Sequence, residues 1–244
     1  MTIRHAMVLA AGRGQRMRPL TDTLPKPLIQ VAGRSMIDRQ IDLLQAYGIE
    51  RVVVNSSYLG EILQAHLRQR SAPEIIFSPE PTMLETGGGI VRALPLLGDS
   101  PFFAMNSDVI LRDGPAKPLL QRMEEAWDPA VMDVLLLLQP REKAIGFEGQ
   151  GDFFLERDGY TPRRRGEAPS APYVFTGTQI LHPRLFENAP ADAFSMNLLY
   201  DRHRSAHGVL GRVAALVHDG HWLHVGDPQA LAQAEAYFAE TVLS

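Results

Sequence analysis

Residues 6–11 form an unbroken apolar run that ends at Gly12, a pattern that predicts a short strand buried on both faces of a parallel sheet. Residues 36–47 then place Ile37, Ile41, Leu44 and Tyr47 on one helical face and stop before Gly48, so a helix closed by glycine is predicted there. Residues 51–55, with three consecutive valines, supply the next strand and complete a β-α-β unit. Two further units are read in the same way: a helix at 59–69 before a strand at 74–77, and a helix at 89–97 before a strand at 102–106. Strands alternating with helices predict an α/β fold, a mostly parallel mixed sheet flanked by helices on both faces. Ligands of such sheets sit at the carboxyl ends of the strands.

The second half has a different rhythm. Long apolar residues 131–139 predict a strand, and residues 152–156 and 173–180 predict two more. Between the last two, residues 157–172 are rich in Pro, Gly and Arg and read as a turn or exposed loop, with antiparallel pairing nearby. A helix at 197–207, a strand at 212–218 and a closing helix at 228–242 complete the reading. No internal repeat is found, and no hexapeptide extension follows the last helix, so a second catalytic activity is not expected. The whole chain, 1–244, is read as one domain, with residues 1–110 holding a nucleotide and residues 111–244 a sugar phosphate.

Composition narrows the chemistry. With 45% hydrophobic residues in 244, the chain can bury a sizeable core unaided. Its formal net charge of −4 offers no broad basic surface for a nucleic-acid backbone, so nucleic acid is not an expected partner and any anionic ligand must be met locally. Cysteine is absent, which excludes disulfides, thiolate metal sites and a cysteine nucleophile. The N-terminal apolar run is too short for a signal-peptide core and no run reaches eighteen residues, so a soluble, cytoplasmic protein without membrane contact is expected. Oligomeric state is not legible.

The most informative segment is Leu9-Ala10-Ala11-Gly12-Arg13-Gly14-Gln15-Arg16-Met17-Arg18-Pro19-Leu20-Thr21, followed by Pro25-Lys26-Pro27-Leu28. Small residues directly after a buried strand let backbone N–H groups approach a phosphate, as a cradle requires. Arg16 and Arg18 add guanidinium charge suited to polyphosphate, and Lys26 adds a mobile point charge. A dinucleotide-binding loop would need glycine where Met17 stands, and a Walker loop would need Gly-Lys-Ser/Thr, which is missing. A tight turn with solvated arginines is the bland alternative; glycines, paired arginines and Pro-Lys-Pro in one short loop favour the phosphate.

This segment resembles the opening motif of the sugar-phosphate nucleotidyltransferases. The likeness continues through Leu84-Glu85-Thr86-Gly87-Gly88-Gly89-Ile90, the run from Ala93 to Asp99, Asn106-Ser107-Asp108-Val109, Gly151-Asp152-Phe153 and His221-Trp222, covering nearly the whole chain. Within the family it is greatest to the N-acetylmuramate 1-phosphate uridylyltransferases of peptidoglycan recycling. The resemblance implies a Rossmann-like nucleotidyltransferase fold and a reaction of a nucleoside triphosphate, UTP, with a sugar 1-phosphate to give a nucleotide sugar and pyrophosphate. Transfer of guanylyl or cytidylyl to a mannose- or heptose-type phosphate is the rival within the fold. A nucleotide-sugar-binding regulator without turnover is the rival outside it.

In such chemistry two anions meet, so catalysis is mainly positioning and charge neutralisation. The resemblance gives Arg16 the β- and γ-phosphates and Lys26 the charge at the α-phosphate, within a cradle of Ala10, Ala11, Gly12 and Gly14. It implies that Ala10, Glu80 and Gly87 frame the base, where the Glu80 carboxylate can accept the uracil N3–H. Thr86-Gly87-Gly88-Gly89 is read as preceding a helix, able both to cap it and to lie against base or ribose. Asp108 is the candidate ligand of Mg2+, Mn2+ being possible, against the alternative of a cap. The family's second carboxylate falls on His224, a poor magnesium ligand. His224 is left as a ligand of a softer ion, a group acting through water, or a structural histidine, with Asp227 as an alternative ligand. Asn106, Asp152 and Thr176 are candidates for the sugar hydroxyls and acetamido group, or equally strand-edge polar residues. Arg163, Arg164 and Arg165 are read as solvated loop charges.

Overall fold

The structure, a computed structural model, describes residues 2–242. Strand β1 (His5–Leu9) is followed by three single 3-10 turns, Gln15–Met17, Leu20–Asp22 and Lys26–Leu28, and by a small hairpin, β2 (Gln30–Val31) and β3 (Arg34–Ser35). Next come α1 (Met36–Tyr47), β4 (Arg51–Ser56), α2 (Gly60–Leu67), β5 (Glu74–Pro79), α3 (Glu85–Leu97) and β6 (Phe102–Asn106). The second half holds β7 (Val109–Arg112), α4 (Leu119–Ala126), β8 (Val134–Pro140), β9 (Ala144–Ile145), β10 (Phe153–Leu155), β11 (Pro162–Arg164), β12 (Tyr173–Leu181), α5 (Asn197–Tyr200), β13 (Val213–Val217), β14 (His221–His224) and α6 (Pro228–Val242).

The predicted parallel heart is present. β6, β1, β4 and β5 pair parallel in that order, β12 joins antiparallel to β6, and β8 with β13 extends the sheet beyond β12. Period-two alternation divides the core between the two faces: Val8, Val52, Val54 and Phe103 pack with α1, α2 and α4, whereas Met7, Val53, Phe102 and Ala104 pack with α3. A strand with both faces covered reads as a continuous apolar run, which is why these four strands were visible in sequence. The start of α1 is fixed by Ser35, whose hydroxyl accepts the Asp38 N–H, and its end by Gly48 at φ 102°.

Three expectations are corrected. The helix expected at 197–207 is one four-residue turn, α5, followed by a 3-10 turn at Asp201–His203. The loop expected at 157–172 contains β11, which pairs antiparallel with β10 through a turn at Asp158 and Gly159. The glycine triplet lies inside the first turns of α3, not before it. A second, three-stranded sheet of β7, β14 and β9 was also not foreseen; it stands beside the carboxyl ends of the main strands and carries His224 opposite Val109. Among the described residues no helix is long and apolar enough to cross a membrane.

Candidate active site

The carboxyl ends of the four parallel strands open onto one cavity of about 400 Å³. Leu9 and Ala10 come from the end of β1, Asn55 from β4, Glu80 from just beyond β5, and Asn106, Ser107 and Asp108 from β6, while Lys26 and Pro27 enter from the loop after β1. Lys26 Nζ donates to Asp108 Oδ2 at 2.6 Å, joining residues 82 apart in sequence. Both side chains are largely covered, 11% and 27% exposed, so bulk solvent screens the pair little.

The loop that delivers Lys26 is shaped by two residues. Gly14 adopts φ 62°, and a Cβ there would lie 2.8 Å from Lys26 Cβ and 3.0 Å from Thr21 Cγ2. The Thr21 hydroxyl donates to the Gly14 carbonyl at 2.9 Å and closes the turn. Met17, the residue that spoils a dinucleotide fingerprint, is fully buried with Ile29, Val31, Ile110, Leu223 and Val225, so the arginines on either side of it turn outward. Arg18 pairs at the surface with Asp22.

On the other wall the Ala10 N–H donates to Asn55 Oδ1 at 2.7 Å, Asn55 Nδ2 donates to Glu80 Oε1 at 2.6 Å, and the Leu84 N–H donates to Glu80 Oε2 at 3.1 Å. The glycine triplet serves three close approaches: a Cβ on Gly87 would strike the Phe194 ring at 2.2 Å, one on Gly88 the Asp192 carbonyl at 3.1 Å, and one on Gly89 the Glu80 carboxylate at 2.6 Å. Gly87 and Gly88 give their N–H groups to the Phe194 carbonyl, so the segment around Phe194 straps the start of α3 and brings Ser195 to the cavity wall. Gly87 itself is therefore packed on protein and does not line the cavity, whose contributions from this helix are Glu85 and Thr86.

Arg16 opens onto a neighbouring hollow of about 330 Å³, shared with Gly146, Phe147, His224 and Asp227. The His224 ring is stacked on Trp222 at 5.7 Å between centroids, and its Nδ1 lies 3.3 Å from the Gly146 carbonyl, which obliges Nδ1 to carry the proton and leaves Nε2 with its lone pair. Burial pushes the imidazole below its ordinary pKa; the Asp108 charge and the Gly146 carbonyl oppose that, and Lys26 and Arg16 reinforce it. A Cβ on Gly226 would meet His224 Cε1 at 2.5 Å and an Arg16 nitrogen at 3.2 Å, so glycine is needed where these groups converge. Asp227 Oδ1 accepts the Ala230 N–H at 2.9 Å and caps α6. Among the described residues no three His, Asp or Glu side chains gather into a metal-ligating group. Asp108, with Oδ2 on Lys26, and neutral His224 are thus the protein donors on offer, a set that suits a cation whose remaining ligands are water and phosphate oxygens.

Residues 5–149 match the nucleotidyl transferase family. Two curated relatives span almost the full chain. The N-acetylmuramate α-1-phosphate uridylyltransferase of Caulobacter vibrioides is 43% identical over 96% of this chain and 97% of its own length. The enzyme of the same name from Neisseria meningitidis serogroup B is 36% identical over 95% and 96%. This chain belongs to the nucleotidyl transferase family. Among solved structures, HddC from Yersinia pseudotuberculosis superposes with a TM-score of 0.76 at 21% identity, covering 97% of this chain and 100% of its own, a likeness of fold.

The structure of this nucleotidyl transferase separates the remaining candidates. Asn106 lines the cavity, and the β12 backbone closes on it at Gly177, whose φ of 81° marks a break in register between Phe175 and Gln179. Thr176, one residue earlier, is wholly buried, and its hydroxyl donates to the Leu137 carbonyl at 2.9 Å, as a core residue does. Asp152 stands outside the cavity lining and accepts the Phe175 N–H at 2.9 Å, fastening β10 to β12. Arg163 and Arg164 are stacked over Phe154 and Phe153 and ion-paired to Glu156 and Asp201, which makes them structural anchors of the edge hairpin instead of loosely solvated charges. Asn55 and Ser195 were missed; for Asn55 a polar residue at the end of a valine strand was the available signal, whereas nothing near Ser195 in sequence marks it.

Proposed function

We propose that this chain transfers the uridylyl group of UTP to N-acetylmuramate 1-phosphate, releasing pyrophosphate. The observation that carries the reading is the convergence of Lys26, Asp108 and Glu80 on one cavity at the ends of the parallel strands. The two uridylyltransferases that match nearly end to end support the choice of substrate. In this reading residues 1–110 hold the nucleotide and residues 111–244 complete the sugar-phosphate side. Ala10, Ala11 and Gly12 bring backbone to the phosphates, with Gly14 letting Lys26 close in.

The sugar phosphate is already an anion, so no protein nucleophile is required, and the protein's task is to hold two anions in line. Lys26 has three donors and spends one on Asp108, which leaves donors for α-phosphate oxygens as charge builds there. Arg16 offers a planar fork to the β- and γ-phosphates of the leaving group. Asp108 would hold Mg2+, with His224 beside it, and the ion when bound supplies neutralisation of phosphate charge. Each Glu80 oxygen accepts one protein hydrogen bond and keeps a further acceptor site, so the carboxylate can still take the N3–H of uracil. We assign the reaction to the cytoplasm, where peptidoglycan recycling would supply the sugar phosphate.

The test is pyrophosphate release from the four ribonucleoside triphosphates against N-acetylmuramate, mannose and heptose 1-phosphates. UTP with N-acetylmuramate 1-phosphate should be turned over best, and chelation should abolish turnover until Mg2+ or Mn2+ is restored. No turnover with UTP, or a clear preference for GTP with mannose 1-phosphate, would overturn the proposal.

A further inference from the structure

We propose that Asn55 is the positioning residue for base selectivity: it clamps the Glu80 carboxylate to the backbone of the loop after β1, and Gly89 closes the clamp from α3. The inference rests on the reading that the base lies against Glu80.

Asn55 is 2% exposed and sits at the carboxyl end of β4. Its amide cannot be reversed without loss, because the Ala10 N–H at 2.7 Å requires an oxygen and the Glu80 carboxylate at 2.6 Å requires an NH2. One side chain therefore sets the distance between Ala10 and Glu80, two groups that line the same cavity. The carboxylate is itself 4% exposed, with its second oxygen on the Leu84 N–H, so it has no solvated position to relax into while Asn55 is in place. From the helix side, a Cβ on Gly89 would stand 2.6 Å from Glu80 Oε1 and 3.0 Å from Asn55 Nδ2. No side chain fits there with the pair intact.

The consequence is chemical. An ionised carboxylate only accepts, so it favours the N3–H of uracil and repels the N3 lone pair of cytosine. Rejection by a mismatched polar group is strong only when that group is held and cannot turn to water. Asn55 and Gly89 provide the holding. Releasing the carboxylate should lower the advantage of UTP over CTP more than it slows the transfer itself, since Lys26 and Asp108 bond to each other and not to Asn55 or Glu80.

The experiment uses the full chain and measures kcat and KM for UTP and CTP at saturating sugar phosphate, in wild type, Asn55→Ala, Asn55→Asp, Gly89→Ala and Glu80→Gln. For the Asn55 and Gly89 variants the expected result is a KM for UTP raised about tenfold, kcat within about threefold, and a UTP-to-CTP ratio of kcat/KM reduced on the order of tenfold or more. Gly89→Ala keeps the fold testable if the Asn55 variants do not accumulate, because alanine is the better helix former. Equal losses for UTP and CTP in these variants would make Asn55 merely structural and overturn the inference. So would an unchanged ratio in them beside a collapsed ratio in Glu80→Gln, which would leave Glu80 as the reader of the base and remove only Asn55. A wild type with no preference for UTP over CTP would instead sink the base reading from which the inference starts.

Discussion

Gly14→Ala tests how closely the loop after β1 is fitted to its lysine. At φ 62° any L side chain pays for the left-handed region, about 1–2 kcal/mol. The new Cβ also meets Lys26 Cβ at 2.8 Å, Thr21 Cγ2 at 3.0 Å and Lys26 Cδ at 3.3 Å. Overpacking of that kind costs about 1–3 kcal/mol when neighbours cannot withdraw. Lys26 has little freedom to withdraw, for its ammonium is fixed 2.6 Å from Asp108 and its backbone lies between two prolines. The sum, about 2–5 kcal/mol, corresponds to a melting temperature lower by roughly 4–20 °C for a chain of this size. Because the strain falls on a positioned cation, kcat/KM should drop by about 100-fold, the effect of misplacing a catalytic group by around 1 Å. The control is Gly159→Ala in the edge hairpin, with φ 77° and nothing within 4 Å of the added Cβ. It pays the backbone cost alone, about 1–2 kcal/mol, and should keep wild-type kinetics. Calorimetry and a pyrophosphate-release assay on both proteins decide the matter. If the two substitutions cost the same stability and neither slows turnover, the contact between Gly14 and Lys26 is not why glycine stands there.

Asp108→Ala should lose at least about 100-fold in kcat/KM while still binding UTP measurably by calorimetry; wild-type turnover in this variant would favour a binding protein over an enzyme. Thr176→Val should leave the KM for the sugar phosphate within about twofold and cost about 1–2 kcal/mol in urea unfolding, since the Thr178 N–H loses its acceptor and the Leu137 carbonyl its donor. A large KM effect would return Thr176 to the substrate site. Asp133 gives a pH signature: burial opposes its charge, but hydrogen bonds from Arg212 and Arg184 overcome that and hold the carboxyl below its ordinary value. A depressed folded pKa contributes stability that is complete above the unfolded value, near pH 4, and disappears as pH falls from there through the folded value. The stability gap between wild type and Asp133→Asn should therefore be constant from pH 7 to about 5 and shrink toward pH 3. A gap that does not change across that range would contradict the ion-pair account.

What could be read from the sequence was whatever depends on near neighbours along the chain. Four parallel strands declared themselves as apolar runs because both of their faces are covered, and the loop after β1 stood out because its glycines, arginines and Pro-Lys-Pro are contiguous. Gly48 ended α1 as anticipated for the same local reason. Everything that depends on which way a residue faces in space needed the folded chain. Asn106 reaches the cavity from the end of β6 and Thr176 is buried in the core beside the register break at Gly177, although both looked like polar strand residues. The glycine triplet has its meaning only through Phe194, Asp192 and Glu80, two of them about a hundred positions away, and no local signal marks such partners. Arg16 and His224 meet beside Gly226 because a second small sheet folds back over the ends of the first, a pairing between segments that sequence periodicity describes singly and cannot join.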